Sequence, residues 1–350
     1  MKFSESWLRS FVDPVCSGRD FSHLLTMAGL EVEEEQAVAP AFSKVVVGHV
    51  LAVDKHPDAD RVRVCRVDVG SGKALTIVCG APNAAAGIKV PCALPGAELP
   101  GGFKIKVSKV RGVESFGMLC SARELGIAED SDGLLLLTAD APVGEDIRRH
   151  LDLDDRLLTL KLTPNRADCL SLEGVAREVA ALTGTPARLL DVEDAAVTIS
   201  TQRAVVLDAP EACPRYCGRV IAGVDARATT PAWMQRRLAR SGIRPISALV
   251  DITNYVMLEV GQPLHAFDNS RLEGAVHARM ARPAEKITLL NEQTLEVQTD
   301  VLLIADDQRP VAMAGIMGDE ASGITLATTE VFLESAFFAP TAIAGRTRRY

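Results

Sequence analysis

Two stretches in the second half of the chain hold the residues with the most chemical promise. In one, Asp251, Thr253 and Asn254 are followed beyond a turn by His265. In the other, residues 331–338 are almost wholly apolar except for Glu334. A carboxylate in such a strand is costly to bury unless a polar group meets it, and its pKa rises if none does. That partner is either a hydrogen bond from a neighbouring loop or the polar end of a ligand, and the residues alone leave both open. His265 by itself fits a satisfied structural histidine. The chain shows no Ser-His-Asp arrangement and no metal-ligand cluster, so neither a covalent nucleophile nor a metal is expected.

These side chains need elements to position them. Leu249, Ile252, Val256 and Met257 follow helical spacing, Gly261 stops the helix and Pro263 prevents its resumption. Such a corner holds side chains more rigidly than a free loop. Residues 264–268 are too few for another helix and read as a strand. Upstream, Thr230 is expected to cap a helix with Pro231 in its first turn; it carries Arg236, Arg237 and Arg240 and stops at Gly242. Downstream, residues 276–279, 287–290, 301–305 and 311–314 read as strands of one sheet. They lead into the glycine-bearing loop 315–323, which lacks the Gly-Lys-Ser/Thr ending of a phosphate loop. Its glycines let backbone amides approach a ligand closely. The last residues, 346–350, are expected to lie inside a helix.

The first forty residues offer two short helices, one with Trp7, Leu8 and Phe11 on one face and one with Phe21, Leu24 and Leu25. They cannot bury enough surface to stand alone. A partner is available in the strand at 158–162 and the helix bearing Leu172, Val175, Val179 and Leu182. Between these pieces the apolar period changes to two. Runs at 45–51, 62–68, 75–78, 89–94 and 104–110 alternate with turns at Pro57-Asp58, Gly70-Ser71-Gly72, Pro95-Gly96 and Pro100-Gly101-Gly102. Five short strands with such turns predict a small closed barrel. It carries Lys89, Lys104, Lys106, Lys109 and Arg111, which fit a solvated strand face as well as an RNA-binding one.

A net charge of −8 excludes nucleic-acid binding by bulk attraction and leaves only a local patch. The eight cysteines form no Cys-x-x-Cys pair and read as reduced, mostly buried thiols. No apolar run approaches membrane-spanning length, so a soluble cytoplasmic protein is expected.

The strings Thr253-Asn254-Tyr255, Gly261-Gln262-Pro263 and His265-Ala266-Phe267-Asp268 occur in the order found in bacterial phenylalanyl-tRNA synthetase beta subunits. The whole chain from Lys2 to Tyr350 resembles the N-terminal portion of that family. Within the barrel region, His56-Pro57-Asp58-Ala59-Asp60, Cys79-Gly80-Ala81-Pro82-Asn83 and residues 115–121 are similar to the tRNA-binding OB-fold. The resemblance implies an α+β multidomain chain: a split N-terminal α/β domain (1–39 and 152–198), an inserted OB-fold β-barrel (40–151), and a mixed α+β editing domain of B3/B4 type (199–350) that is incomplete at its C-terminal end. It implies that Glu334 recognises the hydroxyl of tyrosine mischarged onto tRNA(Phe), that His265 and Asn254 line the same pocket with Thr253 beside them, and that Gly318 makes room for the amino-acid moiety. Water would be the nucleophile, with help from the tRNA's own hydroxyl. The expected partners are tRNA(Phe) and an alpha subunit in an alpha2beta2 heterotetramer. ATP and Mg2+ would serve the complete synthetase and no cofactor this chain. The alternative is a non-catalytic module for tRNA binding or subunit assembly.

Overall fold

The computed structural model describes residues 1–16, 18–129 and 133–350. The fold is mixed α+β and divides into two compact units, Met1–Glu33 with Thr159–Tyr350, and Glu34–Leu158.

The second unit is built on the strand Ser43–His56. It pairs antiparallel with Lys89–Leu99 on one side and Ala59–Asp68 on the other, with Leu75–Cys79 and Met118–Leu119 at the two edges. Its inward side chains, Val45, Val47, Val50, Cys65, Val67, Ile77 and Cys92, are fully buried, as the period of two requires. Register shifts within Ser43–His56 bend the sheet.

Three sequence expectations need correction here. The sheet does not close into a barrel by a continuous ladder among the described residues; across the gap, Phe116 N donates to Thr76 O at 2.8 Å. Gly117 lies at φ +145°, where a Cβ would stand 2.6 Å from Ala93 O, and this turn limits the closing strand to Met118–Leu119. Pro95-Gly96 is not a turn between strands. Lys89–Leu99 runs through it, because Gly96 at φ +84° absorbs a bulge. The run at 104–110 is likewise not one strand. It splits into Phe103–Lys104 and a hairpin of Ser108–Val110 with Val113–Ser115, whose two central residues, Arg111 and Gly112, both have positive φ.

In the first unit, Ser4 caps the helix Glu5–Phe11 and Ser171 caps Leu172–Thr183, each hydroxyl accepting a backbone N–H of the first turn. Gly184 ends the latter in the left-handed conformation. The helices Ala232–Arg240 and Ala248–Val260 complete the helical layer. Tyr255 stacks on Trp7 at 5.0 Å, and the Arg237 guanidinium lies 5.0 Å from the Trp7 ring while donating to the Tyr255 hydroxyl at 2.6 Å. Tyr255 is therefore a packing post between chain segments far apart in sequence.

Two sheets carry the rest. One is five-stranded, in the order Val205–Leu207, Val276–Met280, Leu302–Ala305, Pro310–Met313, Met317–Gly318. The other is antiparallel, with Glu330–Phe337 between Arg215–Ala222 and His265–Asp268. Phe267, Phe332, Val276, Ala278, Ile304 and Val311 form a buried core shared by these strands. Residues 287–290 do not add a full strand to the five-stranded sheet; they meet its edge by a single bridge, Leu289 opposite Asp319, with Leu290 N donating to Gly318 O at 3.0 Å. Lys286–Thr288 pairs with Thr294–Glu296 in its own hairpin. Nor does the chain finish inside one helix: Gly345 at φ +82° separates Pro340–Ile343 from the short turn Arg346–Arg348.

Candidate functional site

The register of the three-stranded sheet builds the site. His265 and Gly218 both lie opposite Glu334, so the three share one row and one face of the sheet. The next row holds Val220, Phe332 and Phe267, which seal that side with aromatic surface. Gly261 at φ +83° turns the chain out of the helix Ala248–Val260 toward this face. Gln262 then donates to Ala336 O at 3.3 Å, fastening the corner to the central strand.

His265 and Glu334 face a cavity of about 280 Å³, walled by Leu264, Met313, Ile316 and Phe338 together with Gly318. Larger clefts of about 480 and 530 Å³ exist elsewhere, but neither is lined by a buried carboxylate together with an imidazole, as this cavity is. Glu334 is only 8% exposed. Burial pushes its carboxyl up to about 7, against the hydrogen bond from the Tyr216 hydroxyl, which donates to Oε2 at 2.7 Å. Burial moves His265 the other way, below its ordinary 6.5, with Asp319 opposing. A neutral imidazole thus stands beside a carboxyl that is poised to ionise near neutrality.

Gly318 is tied to this geometry directly. A Cβ there would fall 2.6 Å from His265 Cε1 and 2.7 Å from Nε2, so the glycine makes room for the imidazole. The loop that follows is held from within: Asp319, buried, accepts from Ser322 N at 3.0 Å and from the Ser322 hydroxyl and the Arg309 guanidinium.

The structure thus brings His265, Glu334 and Gly318 together. Thr253 and Asn254, on the helix Ala248–Val260, are not among the residues lining that cavity, and the Thr253 hydroxyl donates to Val250 O at 2.8 Å. Asp251 is committed elsewhere. It accepts from the Thr230 hydroxyl at 2.5 Å and from Ile246 N at 2.8 Å, which also corrects the expected role of Thr230 as a helix cap. Asp268 is similarly structural; burial raises its carboxyl, but hydrogen bonds from Ser270 and Thr328 and the nearby Arg271 hold it below the ordinary value. Tyr216 escaped the sequence reading. No local signal marks it, because its partner lies 118 positions away.

In the second unit, Lys104, Lys106, Lys109 and Arg111 are all exposed. Lys104 and Lys106 line an open cleft of about 330 Å³ with Phe103, which is 57% exposed. Lys89 is apart from them, its ammonium donating to Ala141 O at 2.6 Å. Two side chains of the strings similar to the OB-fold are held by the backbone of their own unit. His56 accepts from Asp58 N on Nδ1 and reaches Val110 O with Nε2. Asn83 exchanges two hydrogen bonds with the backbone of Leu134.

Two family models match. Residues 45–146 fit "Putative tRNA binding domain" and residues 212–350 fit "B3/4 domain". The molecule is therefore an α+β chain that joins a tRNA-binding type of domain to a B3/4 domain. Curated relatives identify the family. A phenylalanine–tRNA ligase beta subunit of Dechloromonas aromatica is 72% identical over all of this chain and 44% of its own length. That of Aromatoleum aromaticum is 64% identical over the same shares. The chain belongs to the family of phenylalanine–tRNA ligase beta subunits, and it spans less than half the length of these relatives. Among solved structures, an N-terminal fragment of the phenylalanyl-tRNA synthetase beta subunit from Pyrococcus horikoshii is 16% identical with a TM-score of 0.32, covering 54% of this chain and 58% of that one. No described helix is long and apolar enough to cross a membrane.

Proposed function

We propose that this chain carries the hydrolytic editing site of a phenylalanine–tRNA ligase, removing tyrosine esterified in error to tRNA(Phe). The observation that carries the reading is a buried carboxylate, Glu334, set in an apolar-walled cavity in register with a neutral His265. A phenylalanine site elsewhere in a synthetase excludes a side chain that merely adds a hydroxyl by only about 10²-fold. A second site that hydrogen-bonds the hydroxyl can favour tyrosine by about 10⁴-fold or more. Glu334 is the acceptor such a site needs. Phenylalanine would leave that oxygen desolvated and unmet.

The reaction is attack of water on the ester carbon, releasing tyrosine and the ribose hydroxyl of the tRNA. His265, kept neutral by burial, orients the ester or the water and is not charged in the process. Gly318 keeps the imidazole in place. Asn254, with Thr253 beside it on the helix that leads into this corner, is proposed from the family resemblance to border the same site, although neither lines the cavity itself. ATP and Mg2+ belong to the charging reaction of the complete synthetase. Among the described residues no group of three His, Cys, Asp or Glu side chains converges on a metal position.

We further propose that residues 40–151 act as an OB-fold that contacts tRNA through Lys104, Lys106, Lys109 and Arg111. Support comes from their shared exposure beside Phe103 and from the family match. Lys89 has a weaker claim because of its bond to Ala141. Residues 1–39 with 152–198 and residues 199–350 would then be the other two domains, in a cytoplasmic alpha2beta2 assembly with the alpha subunit. The second reading, a tRNA-binding or assembly module without activity, is favoured by those exposed lysines alone. Deacylation of tyrosyl-tRNA(Phe) and phenylalanyl-tRNA(Phe) by the assembled enzyme separates the two. Faster loss of tyrosine is expected, with Glu334→Gln cutting the preference by about 10- to 100-fold. Equal rates on both esters would remove the editing reading.

A further inference from the structure

We propose that Tyr216 is a positioning residue for Glu334, holding one carboxylate oxygen so that the other is presented to the cavity. The inference rests on the editing reading and specifies how its acceptor is aimed. Tyr216 and Gly218 lie on the same face of the strand Arg215–Ala222, and Gly218 is directly opposite Glu334. With no side chain at Gly218, the diagonal neighbour Tyr216 can reach across, and its hydroxyl meets Oε2 at 2.7 Å. The same missing side chain seats the Phe332 ring, since a Cβ at Gly218 would fall 2.3 Å from Phe332 Cζ. Phe332 in turn stacks on Tyr216, with centroids 6.5 Å apart and planes 14° from parallel, which fixes the direction of the phenol. Glu334 lines the cavity and Tyr216 does not. Oε2 is therefore spoken for on the sheet side, and Oε1 remains for a ligand.

The hydrogen bond also has a direction in charge. A carboxylate carries no proton to give, so the phenol must donate, and donation favours the ionised form of Glu334. Tyr216 keeps its proton, because burial and the charge of Glu334 push its own pKa far up. The other groups facing Glu334 are His265 on the opposite neighbouring strand, depressed below 6.5, and Cys213 just before Tyr216, raised to about 11. The cavity wall formed by residues 312–318 contributes no ionisable side chain. Glu334 is then the group whose titration near pH 7 sets recognition of a substrate phenol. That substrate phenol would complete a carboxylate flanked by two phenols, one resident and one transient.

The test uses the complete synthetase carrying Tyr216→Phe, which keeps the ring stacked on Phe332 and removes only the hydroxyl. The expected result is a fall of about tenfold in the preference for tyrosyl over phenylalanyl ester, the scale of one hydrogen bond to a charged group. The pH profile of tyrosyl-ester hydrolysis should move upward by about one unit as Glu334 loses its donor. In a Glu334→Gln background, Tyr216→Phe should leave the pH profile unmoved, because no carboxyl remains there to titrate. If Glu334→Gln abolishes the preference while Tyr216→Phe leaves both preference and profile unchanged, Tyr216 is only packing and the proposal is wrong. If Glu334→Gln itself changes nothing, the editing reading has failed first. Should Tyr216→Phe not fold, 3-fluorotyrosine in place of Tyr216 supplies a stronger donor of the same shape. It should move the profile downward, and an unmoved profile would overturn the proposal.

Discussion

Replacing Glu334 by glutamine should make the protein more stable at alkaline pH while degrading its selectivity. The rise of the Glu334 carboxyl from 4.5 to about 7 means that its folded surroundings, burial offset in part by the Tyr216 hydrogen bond, disfavour the charged form by roughly 3 kcal/mol net, at 1.36 kcal/mol for each tenfold change. The sign follows from linkage. The folded pKa lies above the unfolded one, so the stability associated with the protonated acid is fully present below 4.5 and is lost as pH rises through about 7. Glu334→Gln has no such titration, and its amide oxygen can still accept from Tyr216. Denaturant unfolding of variant and parent at about pH 5 and about pH 8 isolates the effect, because every other group titrates alike in both. The difference, variant minus parent, should grow by about 2 to 3 kcal/mol in favour of the variant over that interval. A difference that stays flat would mean that Glu334 keeps its ordinary pKa and is well solvated. A variant less stable at both pH values would make Glu334 a structural acid, held for the fold.

Other outcomes follow from the same geometry. Gly318→Ala should displace the His265 ring and slow hydrolysis of both esters alike, with little change in unfolding midpoint, and it should be non-additive with His265→Ala; a preserved rate would detach Gly318 from the imidazole. Asp251→Ala leaves the Thr230 hydroxyl and the Ile246 amide without their acceptor, so a loss of about 2 to 4 kcal/mol is expected by denaturant titration. His277 reaches Asp208 at 2.8 Å and Asp307 at 3.0 Å, which raises its pKa above 6.5. That stabilisation is full below 6.5 and disappears as pH climbs through the raised value, so His277→Asn should flatten the fall of Tm between about pH 6 and 9. Replacing Lys104, Lys106 and Lys109 together should lower the slope of log affinity for tRNA against log salt by about 2 to 3; an unaltered slope returns them to a solvated face.

Much of the local structure was legible in the sequence because its causes are local. Gly261 and Pro263 end a helix wherever they stand, since one tolerates positive φ and the other cannot continue the hydrogen-bond ladder. An acidic residue in an apolar strand, Glu334, was visible as an anomaly, and the family resemblance supplied a use for it.

Register and long-range pairing decided the rest. A one-residue slip of Glu330–Phe337 would send Glu334 to the other face, so its meeting with His265 and Tyr216 depends on two strand pairings that no local pattern specifies. The same limit explains Asp251 and Lys89. Their residue types suggested ligand contacts, but Thr230, Ile246 and Ala141 satisfy them first, from positions only the fold brings near. It also explains why Pro95-Gly96 bends a strand that it was expected to end: a turn signal fixes backbone angles, whereas the neighbouring strand decides whether the chain reverses or bulges. Residue types and their spacing determined which groups were available for chemistry, and tertiary structure decided which of them were already spent, because a hydrogen-bonding group is satisfied by whichever partner the packed chain places within reach.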